Sequence, residues 1–212
     1  MGPLLGATVG AMALDQRCPD PDPAGLAVHL HPEGWFDRLS FLHPRVAVLA
    51  QDPAAGQPDT VVLADPVSLR AWWAERTVAA VEPLLDAVGQ RLGSARRGLW
   101  GSVADRVAGV WLAAARAANR PGEVAWAEAM GLLDALAEHA PVRLSRPSPF
   151  PVAASAAGQA WFPVRGTCCL YYLTVEAPDP CGDGYCTTCP FTDPGHRERK
   201  LATWLQEQQG RR

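Results

Sequence analysis

The 212-residue chain is long enough for one domain, or one domain with a small appendage, and buries enough surface to fold without disulfide staples. Apolar residues make up 48% and charged residues 19%, and no run of eighteen apolar residues occurs, which excludes a membrane span and a disordered chain. A net charge of −3 excludes the broad basic character of a general nucleic-acid binder.

The N-terminal stretch "MGPLLGATVGAMALDQR" is mildly apolar, lacks a basic leading region and is interrupted by Gly2, Pro3, Gly6 and Gly10. It makes a poor secretory signal, and a cytoplasmic protein is expected. Residues Cys18 to Gly25, "CPDPDPAG", read as an irregular lead-in because proline removes donors and fixes φ. Two β-branched runs, Val46 to Leu49 and Thr60 to Ala64, flank a loop rich in Pro, Gly and Asp, which predicts a hairpin with a long loop. Asp65 followed by Pro66 predicts a helix start, Pro83 a kink or split, and Gly93 a stop.

Further along, Ser102 and Asp105 approximate a capping box, followed by Val103, Val107, Val110 or Trp111, and Ala114 on one helical face. "NRPG" at 119–122 ends that helix and starts another, in which Trp126, Met130, Leu133 and Leu136 form a core stripe. After Pro141 the texture becomes proline-rich, predicting extended segments and turns. The expected fold is α+β and mainly α-helical. Residues 1–150 form a helical body with an N-terminal strand hairpin, and 151–212 form a loop-rich segment carrying the cysteines.

That segment contains "CCLYYLTVEAPDPCGDGYCTTCPF", residues 168–191, which places five of the six cysteines within twenty-two positions. In a reducing compartment such density points to metal ligation or redox chemistry more than to structural disulfides. Cys186 and Cys189 have the C-x2-C spacing of a zinc knuckle, whereas the adjacent Cys168 and Cys169 diverge in an extended backbone. Divergence suits an iron–sulfur group with two irons to reach, but a turn in the backbone lets adjacent cysteines meet one zinc, so both remain open on spacing, as does a redox dithiol. His29, His31 and His43 lack companion ligands and read as solvent-facing or capping residues. Nucleotide, P-loop, nucleophile-elbow and HExxH patterns are not found, so electrons for any redox chemistry come from a partner. Positive charge gathers at Arg91, Arg96 and Arg97, at Arg143 and Arg146, at Arg165, and in the tail at Arg197, Arg199 and Lys200; a solvated face is the ordinary meaning of such runs.

"VRGTCCLYY" and "YCTTCPF" together resemble the C-terminal motif of the FhuF-like ferric siderophore reductases, C-C-x10-C-x2-C, including Arg165 before the pair and Leu170-Tyr171-Tyr172 after it. Residues 96–112, "RRGLWGSVADRVAGVWL", resemble more loosely that family's helix with a leading Leu-Trp-Gly. The resemblance implies a [2Fe–2S] cluster held by Cys168, Cys169, Cys186 and Cys189, and one-electron reduction of siderophore-bound Fe(III) to release Fe(II) in the cytoplasm. It implies as partners a ferric siderophore complex and an external donor such as a ferredoxin or flavoprotein reductase, with Arg165, Arg96 and Arg97 available for docking. The chain departs from the pattern in three ways: sixteen residues separate Cys169 from Cys186, Cys181 lies among them as a spare thiol or substitute ligand, and Leu173 stands where an arginine is common. The opposing expectations are a non-enzymatic binding protein clipped by zinc, and an iron–sulfur redox sensor.

Overall fold

In the computed structural model, which describes all residues except 35, 44, 94, 154–157, 174–183 and 211–212, the apolar N-terminal stretch is a helix, α1 (Gly2–Asp15). No helix had been expected there. Leu5, Val9 and Met12 fall on one face and are buried, and that burial outweighs the weak propensity of Gly6 and Gly10. The Thr8 hydroxyl donates to the Leu4 carbonyl and accepts from the indole of Trp73, so the helix is tied into the core by a polar link as well.

A short strand β1 (Cys18–Pro19) follows, then a hairpin of β2 (Leu26–Leu30) and β3 (Phe36–Phe41), then β4 (Val46–Leu49) and β5 (Thr60–Leu63). The hairpin expected between the last two does not form: β4 and β5 pair in parallel, and β1 pairs antiparallel with the other edge of β4. The ten intervening residues run through successive turns, closed by bonds such as Asp52 N–H to Leu49 O and Thr60 N–H to Gln57 O, which return the chain to the start of β4. Ala47, Val48 and Leu49 are buried; β5 pairs along the whole of β4, and β1 covers its other edge at Val46 and Ala47. The antiparallel hairpin lies earlier, in β2 and β3, where His29 Nε2 meets Ser40 Oγ at 3.0 Å across the strands.

Helix α2 (Pro66–Leu92) starts as expected, with the Asp65 carboxylate accepting from Ser68 N–H at 2.7 Å, and stops at Gly93 in the left-handed region, φ 62°. Pro83 neither splits nor ends it; the buried Ala80, Val81 and Leu85 on either side hold both halves to the core. Helix α3 (Arg96–Ala117) begins well before Ser102, so the expected capping box is a mid-helix pair, and Asp105 has a different task, described below. Helix α4 (Gly122–His139) buries Ala125, Ala129, Leu132, Leu133 and Leu136. These four helices enclose one core around Trp73 and Trp100.

Strands β6 (Ser148–Ala153) and β7 (Gln159–Val164) form an antiparallel pair that lies against α3 and α4. The boundary expected at residue 150 therefore falls inside β6. Helix α5 (Pro194–Gly210) covers this pair through Leu201, packed with Val152, Ala160 and Phe162. The fold is α+β and mainly helical, and no helix among the described residues is long and apolar enough to cross a membrane.

Candidate metal centre

Strand β7 ends at Val164 and delivers Arg165, Gly166 and Thr167 onto the flank of α3. There the buried Asp105 carboxylate gathers them: it accepts from Gly166 N–H at 2.7 Å, from the Thr167 hydroxyl at 2.8 Å, and from Thr167 N–H and Arg165 Nε at 3.3 Å. Burial pushes this carboxyl up, while the donors pull the other way. With four donors pointing at it, the ionised, acceptor-only form is the one that matches its surroundings. Arg165 also reaches the Thr167 carbonyl and Ser102 Oγ.

The approach is close enough to require two glycines. A methyl group on Gly101 of α3 would run into the Thr167 side chain, which cannot swing aside without losing its bond to Asp105. One on Gly166 would lie 2.5 Å from the Arg146 carbonyl oxygen. Glycine-to-alanine changes within α3 are thus expected to have opposite signs. Gly101→Ala should destabilise by about 1–3 kcal/mol through overpacking, whereas Gly109→Ala, whose new methyl would meet only Pro163 at 3.9 Å, should stabilise by about 0.5–1 kcal/mol. Chemical denaturation of the two variants beside the wild type checks the pair; a Gly101→Ala variant as stable as the wild type, or more so, would remove the close approach as the reason for Gly101.

Directly after this anchor come Cys168 and Cys169. The second cysteine pair sits on a turn closed by Cys189 N–H to Cys186 O at 2.8 Å and braced by the Thr192 hydroxyl on the same carbonyl. Arg165 N–H donates to Thr188 O at 2.8 Å, which joins the two cysteine segments through the backbone. The two cysteine segments thereby come together: Cys189 Sγ lies 3.9 Å from Cys168 Sγ, Cys169 is near enough to Cys186 to raise its thiol, and Cys186 in turn acts on Cys189.

Each pair also has donors directed at sulfur. Leu170 N–H points at Cys168 Sγ from a left-handed residue, φ 58°, Phe191 N–H at Cys189, and the Thr188 hydroxyl lies 3.9 Å from Cys186 Sγ. Burial, with the neighbouring sulfurs adding to it, pushes the Cys189 thiol up to about 11, and burial together with Cys169 raises Cys186. Thiols in that state are protonated at neutral pH, so a metal binding here displaces protons.

The turn has a support that the sequence did not reveal. Arg197, read from its charge run as a solvated tail residue, is 4% exposed on α5. Its guanidinium donates to three carbonyls around the knuckle, Thr187 at 3.1 Å, Cys189 at 2.7 Å and Thr192 at 3.0 Å, and lies 5.0 Å over the Phe150 ring. Asp193 and the thiols of Cys186 and Cys189 are the negative or ionisable groups around it, and among the described residues it makes no ion pair. Asp193 itself caps α5 through His196 N–H at 2.8 Å. Only one signal was available in advance: Asp193-Pro194 repeats the Asp-Pro helix start seen at Asp65-Pro66.

Ligand sulfurs about 2.3 Å from a tetrahedral ion lie about 3.8 Å from each other. The Cys168–Cys189 separation matches such an edge, and the donor set of four cysteines is one that iron–sulfur groups and structural zinc share. Among the described residues no group of three or more potential ligands converges on a single point. Cys181 lies outside the described residues. Cys18 stands apart, fully buried in the helical core with its thiol pushed far up by burial, as an incidental thiol would be. Of the arginines expected to dock a substrate, Arg165 is engaged by Asp105 and Arg96 pairs with Glu82 and Asp86 of α2, which leaves Arg97. Comparison of the chain with protein-family models, with curated proteins and with solved structures finds no match.

Proposed function

We propose that the chain is a [2Fe–2S] protein of the FhuF-like kind that passes one electron to siderophore-bound Fe(III). The observation that carries this proposal is the convergence of the two cysteine segments, with Cys189 Sγ 3.9 Å from Cys168 Sγ and Cys169 near Cys186. A [2Fe–2S] group bound there supplies reversible one-electron transfer. The chain's own residues hold the ligands in register: Asp105 fixes the loop before Cys168, Arg197 fixes the turn that bears Cys186 and Cys189, and the directed N–H groups favour thiolate over thiol. Cys169 is exposed, as is Leu170 beside it in the chain, so electrons have a short path to the surface.

In the reaction one electron leaves an external donor, a ferredoxin or flavoprotein reductase, and arrives on the substrate iron. Fe(III) becomes Fe(II), no bond of the chelator itself is broken, and the lower charge weakens each iron–oxygen bond enough for release. The cysteines are predicted to divide sharply in mutagenesis. Cys186→Ser should yield protein without iron or acid-labile sulfide, and Cys181→Ser should keep both, read by iron and sulfide assay after anaerobic purification. The reverse pattern would transfer the ligand role to Cys181. The same assays on the wild type test the proposal itself: two irons and two sulfides per chain, with a paramagnetic signal on reduction, are expected. One zinc and no sulfide would make the cysteines a structural clip and end the reductase proposal.

A further inference from the structure

Three arginines that the metal centre does not use line one cavity. It has a volume of about 730 Å³ and is bounded by Arg97 in the first turn of α3, Ala137 near the end of α4, and Arg143, Leu144, Ser145 and Arg146 on the segment leading to β6. Arg146 is paired with Asp134 at 2.6 Å, whereas Arg97 and Arg143 have no ion-pair partner among the described residues. Three guanidinium charges against one paired carboxylate leave two uncompensated at the cavity wall. Arg96, adjacent in sequence, is neutralised by two carboxylates of α2, so the free charge at this helix start belongs to Arg97 alone.

The cavity also adjoins the cysteine loop. Gly166 packs so closely on the Arg146 backbone that no side chain fits between them, and Cys168 follows two residues later, within about 7.6 Å at about 3.8 Å per residue. Arg146, at the wall of the cavity, is thus packed by its backbone against the loop that carries Cys168 and Cys169.

We propose that this cavity binds a compact polycarboxylate, and that its physiological form is an anionic ferric chelate bearing carboxylate groups. Guanidinium forks match carboxylate oxygens two by two, and the volume falls in the range of small-molecule sites. Among the described residues the apolar lining is Ala137 and Leu144, with no aromatic face on which a nucleotide base would stack, so a hydrophilic polyanion fits better than a nucleotide. The assignment of the chelate as the occupant rests on the electron-transfer function proposed above; the anion site itself does not.

The test is calorimetric titration of the full-length protein, first without metal and then as purified, using citrate and its redox-inert gallium(III) complex as probes. Binding of the gallium complex is expected, weakened at least tenfold by Arg97→Ala and by Arg143→Ala and unaffected by Arg91→Ala. All three side chains are exposed, and circular dichroism verifies that each variant is folded. Arginine-dependent binding of free citrate with none of the complex would keep the anion site and overturn the chelate as its occupant. Binding of neither probe, or binding indifferent to Arg97 and Arg143, would overturn the site. Because gallium is not reduced, these results stand apart from iron and sulfide content: a protein with zinc in place of iron that still binds the probes would end the reductase proposal and leave the cavity assigned.

Discussion

Replacing Asp105 by alanine is expected to destabilise the protein by about 3–5 kcal/mol, the cost of breaking a buried ion pair by removing one partner. The carboxylate is 3% exposed and receives four donors, all from residues 165–167 of the loop that leads into Cys168, where its charge partner Arg165 is 21% exposed. Without it, the N–H groups of Gly166 and Thr167 and the Arg165 guanidinium lose their acceptor in a place where water replaces it poorly. The damage should also reach the metal centre. Arg165 N–H bonds the Thr188 carbonyl, so releasing the loop loosens the link between the two cysteine segments. Denaturant unfolding and the metal-to-protein ratio after dialysis should fall together in Asp105→Ala. Asp105→Asn, which retains one acceptor oxygen but loses the charge, should lie between. An Asp105→Ala variant that unfolds like the wild type would deny the carboxylate its anchoring role.

Arg197→Met is expected to lower the affinity of the four-cysteine centre for its metal by about 10–100-fold, the usual cost of removing a group that orients ligands from behind. The guanidinium bonds the carbonyls of Thr187, Cys189 and Thr192, and methionine fills similar space without a donor. A buried cation that meets only backbone oxygens is costly unless negative charge lies nearby. Asp193 is one such group, and four thiolates on a bound zinc or [2Fe–2S] group would add to it. Arg197→Lys separates the two contributions, since it retains the charge and gives up the planar fork. Competition with a chelator for metal measures both variants. Release as slow as in the wild type from Arg197→Met would mean that the turn holds its shape unaided and that Arg197 serves only to pack α5.

How far the sequence could be read depended on the range of the interactions involved. The start of α2 at Asp65-Pro66, its stop at Gly93, the break at 119–122 and the buried stripe of α4 all express contacts within one or two helical turns. Such contacts are written in adjacent letters. The sense of β4 and β5 is not, because a ten-residue connection permits either direction and nothing in the adjacent letters chooses between them. Helix α1 escaped notice for a related reason: its glycines count against it locally, and only the burial of Leu5, Val9 and Met12 outweighs them.

The candidate centre divides along the same line. The crowding of the cysteines was legible in the sequence, and so was the two-residue spacing of Cys186 and Cys189, which closes a turn through a single backbone bond. Their partners were not legible. Asp105 reaches its loop across about sixty residues, Arg197 looks in the sequence like one charge in a solvated run, and Arg97 meets Arg143 and Arg146 only because α3, α4 and the segment before β6 converge. The sequence by itself determined which atoms are able to bind a metal, since thiols in such number and spacing have few other uses. Tertiary structure alone decided which carboxylate anchors them, which cation lies behind them and which arginines stay free, because burial and charge compensation depend on segments brought together from opposite ends of the chain.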